Sequence, residues 1–553
     1  MFCFKEFDRE IFQTLFLINI YMYKILIISL LFFSCSGNEN KIDNEDIPDP
    51  IEKIVPTNLV FNIEIKGADS KNPQGDGSGI VTFTASANNA MNYSFRFGTG
   101  DVVDSSSGSI EYTYSEFGTK SYIANVLAYS STGDFISEAK NISVYVKANS
   151  DQDLIQILSG GNQKTWKVNA SYDGHFGNGD KQFKYTTWWE APSFSKSNSG
   201  FYDDEFTFKS DGTYIHKTNG SVYGKSTYLI SSYGNTGQTA NSSGEIENFI
   251  LNNYEGSFYV KKENNENKVV FDSKSFIGFY VGEHTYTIEC YDSNNILVRT
   301  VDNQERAWYL WLTDKEVSTT PSKDMFTNLV WSDEFNYNGR LDSEKWVYEV
   351  RNQWYNEELQ VTTDRLENVI VENGVLKIIA KREGYGGKNF TSGRVKTNKK
   401  FDFTYGRVDI RAKLPGKKGT WPALWLLGSN YDQIDWPSCG ELDIMEHAGN
   451  RLNKIQSTAH HPDKYGSGDG GETNEYNDVS TEFHIYSAVW TEKAITFLVD
   501  DKPYHIVGNA CSLPFNWDFF IIINIAMGGT FGGSVPSDFS SDFMEVDYVK
   551  VYQ

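Results

Sequence analysis

Basic charge, cysteine and helix-forming runs are all scarce in this sequence, and each scarcity removes a class of function. Lys plus Arg total 50 against 73 Asp plus Glu, a formal charge of −23 at pH 7. Nucleic acids and anionic membrane surfaces both demand a basic face, so neither is expected as a partner. The five cysteines (Cys3, Cys35, Cys290, Cys439, Cys511) form no CxxC pair and no even framework. That predicts neither a zinc site nor a disulfide scaffold. The eight histidines contain no HExxH, which leaves chemistry to carboxylates and aromatics. Long Ala/Leu/Glu/Lys stretches are missing too, which argues against a doubly wound nucleotide enzyme. Aromatic residues, by contrast, make up 15% of the chain, alongside 46 Gly and short Asn/Ser clusters. These describe an all-β protein with many turns. At roughly 150 residues per domain, 553 residues imply about three or four domains.

Met22-Tyr23-Lys24, the largely apolar Ile25–Phe33 and Ser34-Cys35 have the three-part build of an export signal. The segment (residues 1–35) resembles a bacterial lipoprotein signal peptide, which implies translation from Met22 and lipidation at Cys35. Phe32 departs from the pattern, standing where Leu is usual. A cleaved secretory signal and an uncleaved anchor are the alternatives. Residues 36–55, rich in Asn, Asp and Glu, read as a solvated tether whose acidity resembles the surface-export signals of Bacteroidetes lipoproteins. The implied location is exported, lipid-anchored to the outer membrane and exposed at the cell surface, with the lipid as the only membrane contact.

From 56 to 148, short alternating strands between Gly/Ser/Asn turns are predicted at Leu59–Ile65, Gly79–Ala85, Tyr93–Phe97, Ser121–Ala128 and Asn141–Val146. Tyr93 to Asp101, followed by Tyr112-Thr113-Tyr114 and Phe117-Gly118, resembles the core of a PKD-type immunoglobulin-like domain, which implies a spacer. Residues 152–314 form a second β-rich block, marked by Trp166, Trp188-Trp189, the hairpin signal Ser210-Asp211-Gly212 and Trp308-Tyr309-Leu310-Trp311. This block weakly resembles lipocalin-like or carbohydrate-binding modules. On a strand Trp188 and Trp189 face opposite ways, so at most one belongs to a flat sugar platform, and a core role for most of these tryptophans is the alternative. Thr313–Asp324 reads as a linker to the last domain, 325–553.

That domain holds the informative motif, Gly440-Glu441-Leu442-Asp443-Ile444-Met445-Glu446. On a strand, residues two apart share a face, so Glu441 and Asp443 are neighbours while Glu446, five along, points away. One extra residue near Met445, a β-bulge, returns Glu446 to the same face. Three carboxylates packed together raise at least one pKa, leaving an acid beside an anion. A glycosidase needs that pair.

The motif resembles the catalytic signature of glycoside hydrolase family 16 in its bulged form. The likeness runs in order through Trp331-Ser332-Asp333-Glu334-Phe335, Asn356-Glu357-Glu358-Leu359-Gln360, Ser392-Gly393-Arg394-Val395, Gly419-Thr420-Trp421-Pro422-Ala423-Leu424-Trp425, Thr458-Ala459-His460, Asn524–Gly529 and Val546–Tyr552. Glu357 stands where Asn is more usual. The resemblance implies a β-jelly roll with a cleft across its concave face. It also implies a retaining endo-β-1,3-glucanase of the laminarinase type, with Glu441 as nucleophile, Glu446 as general acid/base and Asp443 as helper. Agarase or carrageenase activity and a non-catalytic glycan-binding role are the alternatives. Trp421, Trp425 and Trp436 are the expected cleft walls, with Arg394, Asn356 and His460 as polar contacts. The likeness further implies a structural calcium at Glu334, Asp547 and the carbonyl near Gly374. No cofactor is expected in catalysis, and the expected state is a monomer with a β-1,3-glucan polysaccharide as partner.

Overall fold

The computed structural model describes residues 53–70, 72–114, 118–146 and 152–553. Cys3, Cys35, the whole signal and most of the tether lie outside them. Strand accounts for 51% of the described residues and helix for 5%, so the all-β expectation holds. Two compact units divide the chain, 1–147 and 148–553.

In the first unit, Thr57–Ile65, Ile80–Asn88 and Ser109–Thr113 form one sheet, and Val102–Ser105, Asn92–Arg96, Gly118–Tyr129 and Phe135–Val146 form another. Alternating side chains from both sheets, among them Phe61, Phe83, Phe95, Val126 and Val144, share one core. This is a small sandwich, and all five predicted strands are present in it.

The second unit opens with a barrel. Gln163–Val168 pairs with Glu205–Lys209 on one side and with Arg306–Thr313 on the other. Thr213–Lys217, Tyr254–Glu263, Glu266–Phe271, Thr285–Tyr291 and Asn295–Val301 complete the closed antiparallel ring. Trp166, Phe206, Phe208, Tyr214, Trp308 and Leu310 fill its interior, so these tryptophans are core. The strand period of two explains the rest. Tyr309 and Trp311, the alternate residues, face outward into the core of the last domain together with Cys290 and Leu297. Trp188 and Trp189 lie on the surface, 56% and 39% exposed.

Barrel and last domain are therefore not separated by a free linker. Ser322, within the predicted linker, is buried and donates its backbone N–H to the Ser171 carbonyl at 2.8 Å. A disulfide joins Cys290 to Cys511, correcting the expectation that the cysteines build no covalent framework. The two partners are 221 residues apart, a spacing with no local signature. Thr496 Oγ1 also donates to buried Asp173 Oδ2 at 2.7 Å across the same seam.

The last domain is a two-sheet sandwich, as the jelly-roll expectation required. One sheet contains β1 (Val347–Tyr348), β2 (Arg394–Lys396), β3 (Thr420–Gly428), β4 (Glu441–Glu446), β5 (Ile455–His461), β6 (Lys464–Thr473) and β7 (Phe519–Met527). Their spatial order is β1-β2-β7-β3-β4-β5-β6. A ten-stranded sheet that includes Val375–Tyr385, Gly406–Lys413, His484–Trp490 and Ser541–Tyr552 backs it. Between them lie Leu424, Leu426, Leu442, Ile521, Ile523, Val549 and Val551, all within one buried cluster.

Candidate active site

The inner strand β4, between β3 and β5, carries the three carboxylates. Its register with β5 is Glu441 opposite His460 and Asp443 opposite Thr458, and the next pair is Glu446 opposite Gln456. Ile444 and Met445 thus oppose Ser457 alone, which is the bulge predicted near Met445. Both side chains of the bulge enter the core, at 1% and 0% exposure. Glu446 is thereby returned to the face of Glu441 and Asp443. On β3 the alternation is regular: Leu424 and Leu426 are core, while Trp421 and Trp425 stand half-buried on the carboxylate face.

Each carboxyl has a defined partner. Trp421 Nε1 donates to Glu446 Oε1 at 2.9 Å. His460 Nε2 lies 3.0 Å from Asp443 Oδ2 and 3.8 Å from Glu441 Oε1. Burial pushes all three carboxyls up, to about 8 each. The neighbouring Asp443 charge adds to the rise of both glutamates. His460 and Arg394 oppose it at Glu441, and the Trp421 N–H opposes it at Glu446. A hydrogen bond with Glu441 restrains Asp443. The first proton such a trio loses leaves one anion beside carboxyls that still hold theirs, so an acid and an anion can coexist on one face.

The other expected residues take different places. Trp425 Nε1 donates to Asn524 Oδ1 at 2.8 Å, and the Arg394 guanidinium lies 4.6 Å from the Trp425 ring centroid. Arg394 Nε in turn donates to Glu349 Oε2 at 2.8 Å. Arg394 thus packs on the Trp425 ring while paired with Glu349. Trp436 is 45% exposed, with its ring 5.7 Å from His460 and 5.8 Å from Tyr465. Asn356 sits at φ 55 with its carbonyl accepting from Thr530 N at 2.9 Å. Its side chain is exposed beside the turn that packs under Trp421.

The expected calcium set is occupied by the chain's own cations. Lys550 Nζ pairs with Glu334 at 2.9 Å, and Arg411 pairs with Asp547 at 2.5 Å. A calcium ion at Glu334, Asp547 and the Gly374 carbonyl would have to displace both cations.

Residues 345–550 match the family model described as glycosyl hydrolases family 16. The chain is 41% identical over 244 residues to a beta-glucanase of Rhodothermus marinus, spanning 41% of this chain and 85% of that protein. The chain belongs to glycoside hydrolase family 16. A glucan endo-1,3-beta-glucosidase of Cryptopygus antarcticus is 38% identical over 248 residues, 40% of this chain and 90% of that one. An X-ray structure of the laminarinase from Rhodothermus marinus aligns at 42% identity over 41% of this chain and 97% of that chain, with a TM-score of 0.39.

As a family 16 glycoside hydrolase, the protein contains site residues that sequence reasoning passed over. Asn524 is the one amide in the otherwise apolar strand Phe519–Met527, and that isolation was its signal. Glu349 and Tyr465 carried none. Both become visible only when β2 and β6 bring them beside Arg394 and Trp436.

Proposed function

We propose that this family 16 enzyme is a retaining endo-β-1,3-glucanase acting on laminarin-type glucans. The bulge-made trio of Glu441, Asp443 and Glu446 is the observation that carries the reading. Glu446, protonated in its buried setting, gives its proton to the leaving glycosidic oxygen while Glu441 attacks the anomeric carbon. Trp421 then stabilises the new Glu446 carboxylate by its N–H. Water next attacks the glycosyl-enzyme, losing a proton to Glu446 and releasing Glu441. Asp443, shared between His460 and Glu441, orients the nucleophile and sets its charge. Flat, half-buried Trp421 and Trp425 with exposed Trp436 suit the apolar C–H faces of glucose rings.

The substrate class rests on the likeness to glucan-cleaving relatives and is tested by a panel. Laminarin, lichenan, agarose and κ-carrageenan are incubated with the protein and reducing ends followed. Fastest release from laminarin is expected, with lichenan as a side activity. Faster cleavage of agarose or κ-carrageenan would replace the glucan reading by a galactan one, and sugar transfer to added acceptors would mark a transglycosylase.

For location, we propose lipidation at Cys35 and display outside the outer membrane, with the sandwich of residues 56–148 as a PKD-type spacer. A polymer too large for a porin must be cut outside the cell, which suits such an anchor. Cys35→Ala is expected to release the enzyme from membranes. Retention of that variant would identify an uncleaved apolar anchor instead.

A further inference from the structure

The barrel of residues 163–313 touches the catalytic domain at the β5–β6 hairpin as well as at the disulfide. Tyr185 Oη donates to Asp463 Oδ2 at 3.2 Å, in the turn between β5 and β6. The Tyr185 ring stands edge-on to His461 at 5.4 Å, and His461 is fully buried against Phe515 on its other side. One residue along, Thr186 fits so closely to β-strand residue Gly508 that a Cβ there would lie 1.9 Å from its Oγ1. The hairpin is thus backed by the barrel.

Its other side forms the cleft. His460, next to His461 on β5, faces Asp443 and Glu441 because side chains alternate along the strand. Gly468 on β6 lies so near that a Cβ would come within 3.1 Å of His460 Nδ1. Tyr465, 59% exposed at the hairpin tip, meets Trp436 edge-on at 5.8 Å. Barrel, hairpin and carboxylates therefore form one contiguous stack of packed side chains.

We infer that Tyr185 of the barrel is a positioning residue for the catalytic domain, holding the Asp463–Asp469 hairpin so that Tyr465 and Trp436 form the sugar-gripping wall beside His460. The barrel then acts as part of the substrate cleft, whether or not its own surface binds glycan. This inference rests on the glucanase reading for its choice of substrate and on the seam geometry for its logic. Because Tyr185 touches no catalytic carboxylate, its loss should weaken grip on the polymer and spare the chemistry.

Kinetics on laminarin with the full chain test it. Tyr185→Ala is expected to raise KM about fivefold with kcat within about twofold of wild type, a coupling of the size packed neighbours show. Tyr185→Phe keeps the ring against His461 but loses the same hydrogen bond to Asp463 as Asp463→Ala does, so the two variants should raise KM alike, about twofold, with kcat unchanged. Asp463→Ala, on an exposed turn with no core to disturb, should raise KM about twofold and decides the matter if Tyr185→Ala fails to fold. In a Tyr465→Ala background, Tyr185→Ala should add little, since the wall it supports is already gone. Unchanged KM in Tyr185→Ala and Asp463→Ala, or fully additive effects with Tyr465→Ala, would overturn the inference. Should wild type leave laminarin intact, the glucanase reading fails separately, and the same coupling is read on whichever panel polysaccharide it cleaves.

Discussion

Glu441→Ala is expected to lower kcat/KM on laminarin by about 10⁴ or more, leaving KM nearly unchanged, because the nucleophile acts in the transition state and adds little to ground-state binding. The stereochemistry of rescue separates the two glutamates more sharply than the loss of rate. With an activated aryl β-laminaribioside, azide enters the space left by the missing carboxylate and attacks the anomeric carbon directly. One C–N bond forms as the C–O bond to the phenol breaks, and a single displacement gives the α-glycosyl azide. In a Glu446 variant the nucleophile is intact, so azide instead intercepts the glycosyl-enzyme and the double displacement gives the β-azide. A β-azide from Glu441→Ala, or more than about one per cent of wild-type rate remaining, would sink the assignment of Glu441.

Much of this site is legible in the sequence, and the parts that are not share a physical cause. Period-two alternation puts Glu441 and Asp443 on one face from spacing alone, whereas Trp421 and Trp425 come to the cleft only through the family resemblance. Glu446 needed the additional idea of a bulge near Met445, and the structure shows it as Ile444 and Met445, both buried, opposite Ser457. Where both faces of a strand are apolar, alternation carries no address. Trp308-Tyr309-Leu310-Trp311 looks uniform in sequence, yet its members alternate between the barrel core and the neighbouring domain's core. The same blindness hid the joined architecture. Cys290 and Cys511 meet only after the barrel docks, and Ser322 looks like linker until Ser171 is found opposite it. Arg394 is legible as a candidate site residue but its neighbours are not, since stacking on Trp425 and pairing with Glu349 depend on strands distant in the chain.

Crowding three buried acids on one strand should also cost the fold stability, and Glu446→Gln exposes that cost. Burial raises the Glu446 carboxyl from its ordinary 4.5 to about 8, with Asp443 beside it. Between those two values the folded state holds a proton that the unfolded chain has released. Folding then binds protons, so the contribution of this group to stability is most favourable below about pH 4.5 and falls as pH rises toward 8. Gln cannot ionise, and its side-chain oxygen still accepts the Trp421 N–H. The variant should therefore match wild type near pH 4.5 and exceed it at pH 8 by up to about 4 kcal/mol, a rise of several degrees in melting midpoint. Activity should move the opposite way. With no proton to give, kcat/KM on laminarin should fall about 10²–10⁴-fold, far less on aryl glycosides whose phenols leave unaided, and the alkaline limb of the wild-type pH profile near 8 should vanish. Melting curves at the two pH values and rates on both substrates check this together. A stability gain of equal size at both pH values would mean that packing rather than ionisation sets the cost. A variant less stable than wild type at pH 8 would mean that Glu446 is held ionised there, and it would lose its place as the proton donor.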